Sequence, residues 1–162
     1  MVKELSKQAL KHIHSLSIQA LMPALRECSN GAIDEILNTN GNAYYQFSMA
    51  LIDLVKPKQV VELGGAMGVW DICVLQTLPE DSKLYSVTLA EGGLEFGYVT
   101  DTYVNFVPCV GDDLDLAVWP KGLDLGKTDL WFIDSLHTAE QLRKELALYG
   151  PYFKKGAILL FD

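Results

Sequence analysis

Basic side chains are scarce in this chain of 162 residues. Lysine and arginine number 13 against 21 aspartates and glutamates, a formal net charge of -8. Nucleic-acid phosphates are held by a basic stripe, and the basic residues here are scattered, so nucleic acid is excluded as the main partner. Cysteine is also rare. Cys28, Cys73 and Cys109 are odd in number and irregular in spacing, and do not read as a disulfide framework or a cysteine zinc site. Cys73 and Cys109 lie in apolar stretches and read as small core residues, so a reducing, cytoplasmic setting is expected. No apolar run approaches the roughly 20 residues of a membrane span, and Met1 to Leu10 carries no secretory signal, so no membrane partner is expected. Internal repeats and low-complexity segments are absent too. What remains is a composition with 49% hydrophobic and 21% charged residues, suited to one globular domain.

Two textures divide the chain. Residues 1–56 read as a helical N-terminal cap: Leu5, Ala9, Ile13, Leu16 and Ala20 recur near helical spacing, and Pro23 is expected to kink or end that helix. Turn chemistry follows at 29–31 and 38–42, then a helix with Tyr44, Phe47, Leu51 and Leu54 on one face. Residues 57–162 alternate short apolar runs with helical or loop segments. Val60 to Leu63, Leu84 to Val87, Val104 to Val107, Leu130 to Ile133 and Ala157 to Phe161 read as strands, most of them apolar throughout, as strands covered on both faces are. Helices are expected over Val69 to Leu78, Leu114 to Trp119 and Ala139 to Tyr149. The last has Thr138 as its cap and Gln141 completing a capping box. Ala90 to Tyr103, with three glycines, reads as a loop with one helical turn. Strands alternating with helices mean an α/β fold with a doubly wound parallel sheet.

Ligands of such sheets bind at the carboxyl ends of the strands. The segments there are Glu62 to Gly68, Thr88 to Glu91, Gly111 to Asp113, Asp134 to His137, and Asp162, and four of these five place an acidic residue at or just past a strand end. In Val60 to Gly68 (VVELGGAMG), glycines permit a tight turn and close backbone approach to a ligand. Ala66 and Val69 stand where the dinucleotide spacing requires its second and third glycines. An acidic residue two before the first glycine repels a pyrophosphate and suits a cofactor bearing positive charge. Valine at Gly64 is expected to abolish cofactor binding while leaving the chain folded. Asp134 and His137 are placed to reach one cleft, the first as a metal ligand and the second as a general base. His12 and His14, on a helical run without acidic companions, read as surface residues.

In order and separation these segments resemble the class I S-adenosylmethionine (SAM)-dependent methyltransferases. VVELGGAMG is similar to their first motif, VNFVPCVGDD (Val104 to Asp113) to their third strand with its terminal Gly-Asp, and Asp129 to Phe161 to the fourth strand, helix and fifth strand. The Ile133-Asp134-x-x-His137 stretch resembles the small-molecule O-methyltransferase and cephalosporin-hydroxylase-like branch. The resemblance covers Pro57 to Asp162 and implies a Rossmann-like sheet of order 3-2-1-4-5 under the N-terminal cap. It implies that Glu62, Gly64, Gly65 and Gly68 hold the methionine end of SAM and that Asp112 bonds the adenine amine. The family's ribose-binding carboxylate ends the second strand; Thr88 stands there, and Glu91 is the nearest carboxylate. Asp134 and Asp162 are implied ligands for a divalent cation such as magnesium, with Asp134 and His137 as the catalytic pair.

The expected function is SAM-dependent methylation of an oxygen on a small-molecule acceptor, with metal assistance as an option. The acceptor is expected against Tyr44, Tyr45 and Phe47 of the cap. The alternatives are a metal-dependent hydroxylase-like or other nucleotide-binding enzyme on the same scaffold, or a non-catalytic SAM-fold assembly domain. The family continues with two further strands beyond the fifth. The chain is therefore expected to be a fragment of a longer protein, or to have its fifth strand covered by another subunit. It is expected to form a homo-oligomer, with little activity alone.

Overall fold

The computed structural model describes residues 2–13, 17–28, 33, 42–89 and 96–162. The predicted turn at 29–31 and most of that at 38–42 lie outside these residues, as do Leu16, His14 and Glu91.

Helix α1 spans Val2–His12, α2 Met22–Cys28 and α3 Asn42–Val55. Pro23 does not end a helix: it lies in the first turn of α2, where a residue without an N–H leaves no helical bond unmade. In α3, Tyr45, Met49 and Ile52 follow the i, i+4, i+7 pattern and are buried. Next come β1 (Gln59–Leu63), α4 (Val69–Leu75), β2 (Lys83–Thr88), α5 (Phe96–Thr102), β3 (Phe106–Val110), β4 (Leu130–Ile133), α6 (Ala139–Tyr149) and β5 (Ile158–Phe161).

The five strands form one parallel sheet in the order β3-β2-β1-β4-β5. Successive strand residues face opposite sides, and both sides are covered. Val60, Leu84, Phe106, Leu130 and Phe132 join residues of α2, α3 and α4 in one core. Val61, Leu63, Val87, Cys109, Trp131 and Ile133 join Trp119, Leu125 and Tyr149 in the other. The unbroken apolar texture of the strands follows from this double burial.

Three local expectations are corrected. The third strand begins at Phe106, not Val104, whose side chain is 91% exposed in the turn before it. It continues through Pro108, which an edge strand tolerates. The helix expected over Leu114 to Trp119 is a 3-10 turn, Leu116–Val118, capped by Asp115 and followed by Pro120. Between β2 and β3 a helix of two turns, α5, stands where a loop with one turn is expected.

Candidate functional site

Every strand runs in the same direction, so the loops after β1, β2, β3 and β4 gather at one sheet edge. There they enclose a cavity of about 440 Å³ lined by Gly64, Ala66, Thr88, Asp112, Asp113, Asp134 and Gln141, among others. That volume lies within the range of small-molecule and cofactor sites. A neighbouring cavity of about 180 Å³ shares Gly64, Ala66 and Asp134 with it and adds Tyr44, Tyr45, Glu62, Trp70 and Asp162. The two meet at the glycine loop and at Asp134.

The loop after β1 turns through positive φ at Gly64 (96°), Ala66 (37°) and Gly68 (73°). The amides of Gly64 and Gly65 both donate to the Val87 carbonyl at 2.9 Å, which ties the loop to β2. A β-carbon on Gly64 would stand 2.1 Å from the Asp134 carbonyl oxygen and 2.8 Å from the Ser135 α-carbon. The absent side chain makes room for the loop after β4, so a valine there displaces the protein's own backbone, and the expectation of a folded chain is corrected.

Glu62 is the penultimate residue of β1, and it is 1% exposed. Its carboxyl accepts a hydrogen bond from the Ser86 hydroxyl on β2 and faces Asp71 on α4, which is fully buried. Burial pushes both carboxyls up: Asp71 to about 6, and Glu62 well above the usual carboxylate range, with the Asp71 charge as the second cause. Both Asp71 oxygens lack a well-formed hydrogen bond among the described residues. Nothing in the sequence pattern singled Asp71 out; an aspartate inside the apolar run VWDICVL was the available signal.

Asp134 and His137 meet, but only Asp134 lines the two cavities; His137 is exposed and lines a separate surface cavity with Asp162. His137 Nε2 lies 2.7 Å from Asp134 Oδ1. Asp162, at the end of β5, joins them, with one ligand atom from each residue within 4.8 Å of the others. Burial raises the Asp134 carboxyl and the charge of Asp162 adds to it, while His137 opposes the rise. Two carboxylates and an imidazole in this spacing suit a divalent cation: the carboxylates match magnesium, and the nitrogen also admits manganese or zinc. Tyr44 lines the smaller cavity with Asp134 and Asp162. Burial and the charges of Asp134, Asp162 and Glu62 push its hydroxyl far up, so it stays a donor at neutral pH. Tyr45 also lines this cavity, whereas Phe47 packs against the core.

Asp112 lines the larger cavity, and its Oδ1 accepts from the Leu114 amide at 2.8 Å. Thr88 lines the same cavity at the end of β2. The placement of Glu91 is outside the described residues. Three residues that sequence reasoning did not assign to the site stand here: Asp113 and Gln141, which line the cavity with Asp112, and the buried Glu145, which accepts from Gln141. His12 is no bare surface residue, for its Nε2 lies 2.7 Å from Oδ2 of Asp53 on α3. That aspartate is 41 positions away, beyond the reach of a local pattern.

Residues 61–162 match the sequence profile of a family described as a methyltransferase domain. No curated protein matches the chain. Among solved structures, it resembles a protein provisionally assigned as a caffeoyl-CoA O-methyltransferase from Staphylococcus aureus. The TM-score is 0.64 at 17% identity, over 93% of this chain and 68% of that one. It also resembles a provisionally assigned O-methyltransferase from Klebsiella pneumoniae (TM-score 0.59, 21% identity, 75% of this chain and 55% of that one). A third is the O-methyltransferase TomG from Streptomyces achromogenes, involved in tomaymycin synthesis and solved with SAM. Here the TM-score is 0.56 at 19% identity, over 74% of this chain and 54% of that one. The chain thus spans little more than half the length of the last two. At these identities the likeness is one of fold.

Proposed function

The chain belongs to the methyltransferase-domain family, and on that premise we propose that it binds SAM in the larger cavity and directs methyl transfer to an oxygen of a small molecule in the smaller one. The observation that carries this reading is the convergence of the two cavities at Gly64, Ala66 and Asp134. One has the size for a nucleoside cofactor, and the other is walled by Tyr44, Tyr45, Asp134 and Asp162.

SAM, when bound, would supply a methyl group to the acceptor oxygen and be left as the thioether. The protein's task is to align donor and acceptor and to take the hydroxyl proton. His137 takes that proton, and Asp134, 2.7 Å away, orients the ring and stabilises its charged form. The Tyr44 hydroxyl donates to the acceptor. Gly64, Gly65 and Gly68 shape the cofactor loop, and the Glu62–Asp71 pair beneath it supplies negative charge toward the sulfonium and ammonium groups. Asp112 accepts from the adenine amine, and Glu91 is assigned to the ribose. Asp134 and Asp162 would hold a divalent cation such as magnesium, which would lower the pKa of an acceptor hydroxyl bound to it. The helices of residues 1–56 serve as the cap over the acceptor, and cysteines used as small buried core residues, Cys73 and Cys109, favour a cytoplasmic setting.

Calorimetric titration tests this. SAM and S-adenosylhomocysteine should bind and NAD should not, and Asp112→Ala should weaken SAM by about 1–3 kcal/mol, the cost of leaving a buried amine unpaired. A protein that ignores SAM defeats the reading. An Asp112→Ala variant with unchanged affinity removes Asp112 from the site.

A further inference from the structure

A capping box would turn the Gln141 side chain back to the Thr138 amide. Only half of that box forms. Thr138 Oγ1 accepts from the Gln141 amide at 3.2 Å, but the Thr138 amide donates to the Leu136 carbonyl instead, at 2.6 Å. The Gln141 side chain points elsewhere: its Nε2 donates to Asp113 Oδ1 at 3.0 Å and to Glu145 Oε1 at 3.1 Å. Glu145 is 1% exposed and also accepts from the Ser135 hydroxyl. The Asp113 main-chain carbonyl accepts from the Tyr149 hydroxyl, which in turn accepts from the Trp119 indole at 3.1 Å. The titratable groups around Asp113 are therefore Glu145 and Tyr149 on α6 and Asp112 on its own loop. Burial and the Glu145 charge, with Asp112 behind them, hold the Asp113 carboxyl up at about 7.

This arrangement fixes which way the amide faces. Exchanging its nitrogen and oxygen would set a carbonyl oxygen against two carboxyl oxygens. With both N–H groups engaged, the one polar atom left on Gln141 is Oε1, which accepts no hydrogen bond among the described residues. Gln141 lines the larger cavity beside Asp112, so this part of the wall offers hydrogen-bond acceptors. Leu89 and Leu136 line the same cavity and are 66% and 67% exposed, large apolar side chains available to the faces of a flat ring. An acceptor edge with apolar surfaces nearby suits a heteroaromatic ring that carries N–H donors on its rim.

We propose that Gln141 is a specificity-determining residue for the nucleobase: its carbonyl oxygen, aimed by Asp113 and Glu145, accepts from the exocyclic amine, so that the cavity takes a 6-aminopurine and rejects a 6-oxopurine. A 6-oxopurine places an oxygen where the wall already presents oxygen, and neither partner has a proton to share. Asp113 and Glu145 are positioning residues that act through Gln141. The inference rests on the SAM reading above and adds a residue to it.

The test is calorimetric titration of the whole chain with S-adenosylhomocysteine and with S-inosylhomocysteine, its 6-oxo analogue. The unaltered protein should prefer the amino form by at least ~10-fold. Gln141→Met, similar in volume but without the amide, should weaken the amino form about tenfold and leave the oxo form within about threefold. Glu145→Gln, which keeps an acceptor oxygen for Gln141, should retain most of the preference, and Glu145→Leu should lose it. Equal losses for both ligands in Gln141→Met would show a purely structural residue and overturn the proposal. So would an unaltered protein that binds both ligands alike, a result that needs no variant to fold. A protein that binds neither ligand defeats the SAM reading and this inference together; binding without preference defeats the inference alone.

Discussion

At Gly64 the φ of 96° and the main chain of Asp134 act together. Either alone would strain a side chain, and a β-carbon 2.1 Å from a carbonyl oxygen forces the loops after β1 and β4 apart. Gly64→Ala should therefore cost at least about 2–4 kcal/mol, from positive-φ strain plus displaced backbone. Urea denaturation measures it, and a loss under about 1 kcal/mol would show that the loops separate freely. Asp71 gives a residue-scale prediction in pH. Its folded pKa, about 6, is raised above the ordinary 3.8 by burial. A carboxyl raised on folding contributes stability that is fully present below its unfolded pKa and is lost as pH rises through the folded one. That loss falls between about pH 4 and pH 7. Asp71→Asn removes the charge, so it should gain about 1–3 kcal/mol at pH 8 relative to the parent and nothing comparable at pH 4. Denaturant titration at both values checks this, and a variant less stable at pH 8 would contradict it. The Gly64 effect was illegible in the sequence, because a glycine pattern does not say whether ligand or protein fills the space beside it.

Among the elements, α6 is the one whose limits the sequence marks most clearly. Thr138 at its cap and Gly150 at its end coincide with the observed Ala139–Tyr149. Thr138→Ala should cost about 1 kcal/mol, the usual value of an N-cap, read from the urea midpoint at constant slope. The same helix shows where local reasoning stops. A capping box is judged from spacing alone, and here the Gln141 side chain finds two carboxyls, Asp113 and Glu145, instead of the Thr138 amide. Asp113 is 28 positions away and comes within reach only because the sheet sets the loop after β3 against α6. The edge strand β3 was misplaced by two residues for a related reason. Val104 is apolar, but the register with β2 begins at Leu84 opposite Phe106, so Val104 stays in the turn.

For the molecule as a whole, the sheet's two edges differ from its centre. The residues of β4 are all buried, whereas Ile158, Leu159 and Leu160 of β5 are only partly buried and Phe161 is 48% exposed. An apolar strand edge with open backbone groups is a template for pairing. This 162-residue chain should therefore self-associate. The net charge of -8 opposes association, and salt screens that repulsion, so the mass by light scattering should rise with protein concentration and with added salt. Phe161→Lys should lower it. A constant monomer mass across both series would show that the edge is inert.

The sequence by itself determined the fold class, the parallel strands and the loops that gather at the carboxyl ends of the strands. Burial on both faces writes itself as unbroken apolar runs, and helix caps and glycine turns are local signals. It also placed Asp134, His137 and Asp162 at strand ends, where a parallel sheet brings them together. Only the tertiary structure decided that Glu62 faces Asp71, that Gly64 yields its space to Asp134, and that Gln141 turns to Asp113 and Glu145. Each of these depends on which side chains from separate elements meet in a buried place. There, desolvation and packing set charge and orientation, and no spacing along the chain records that.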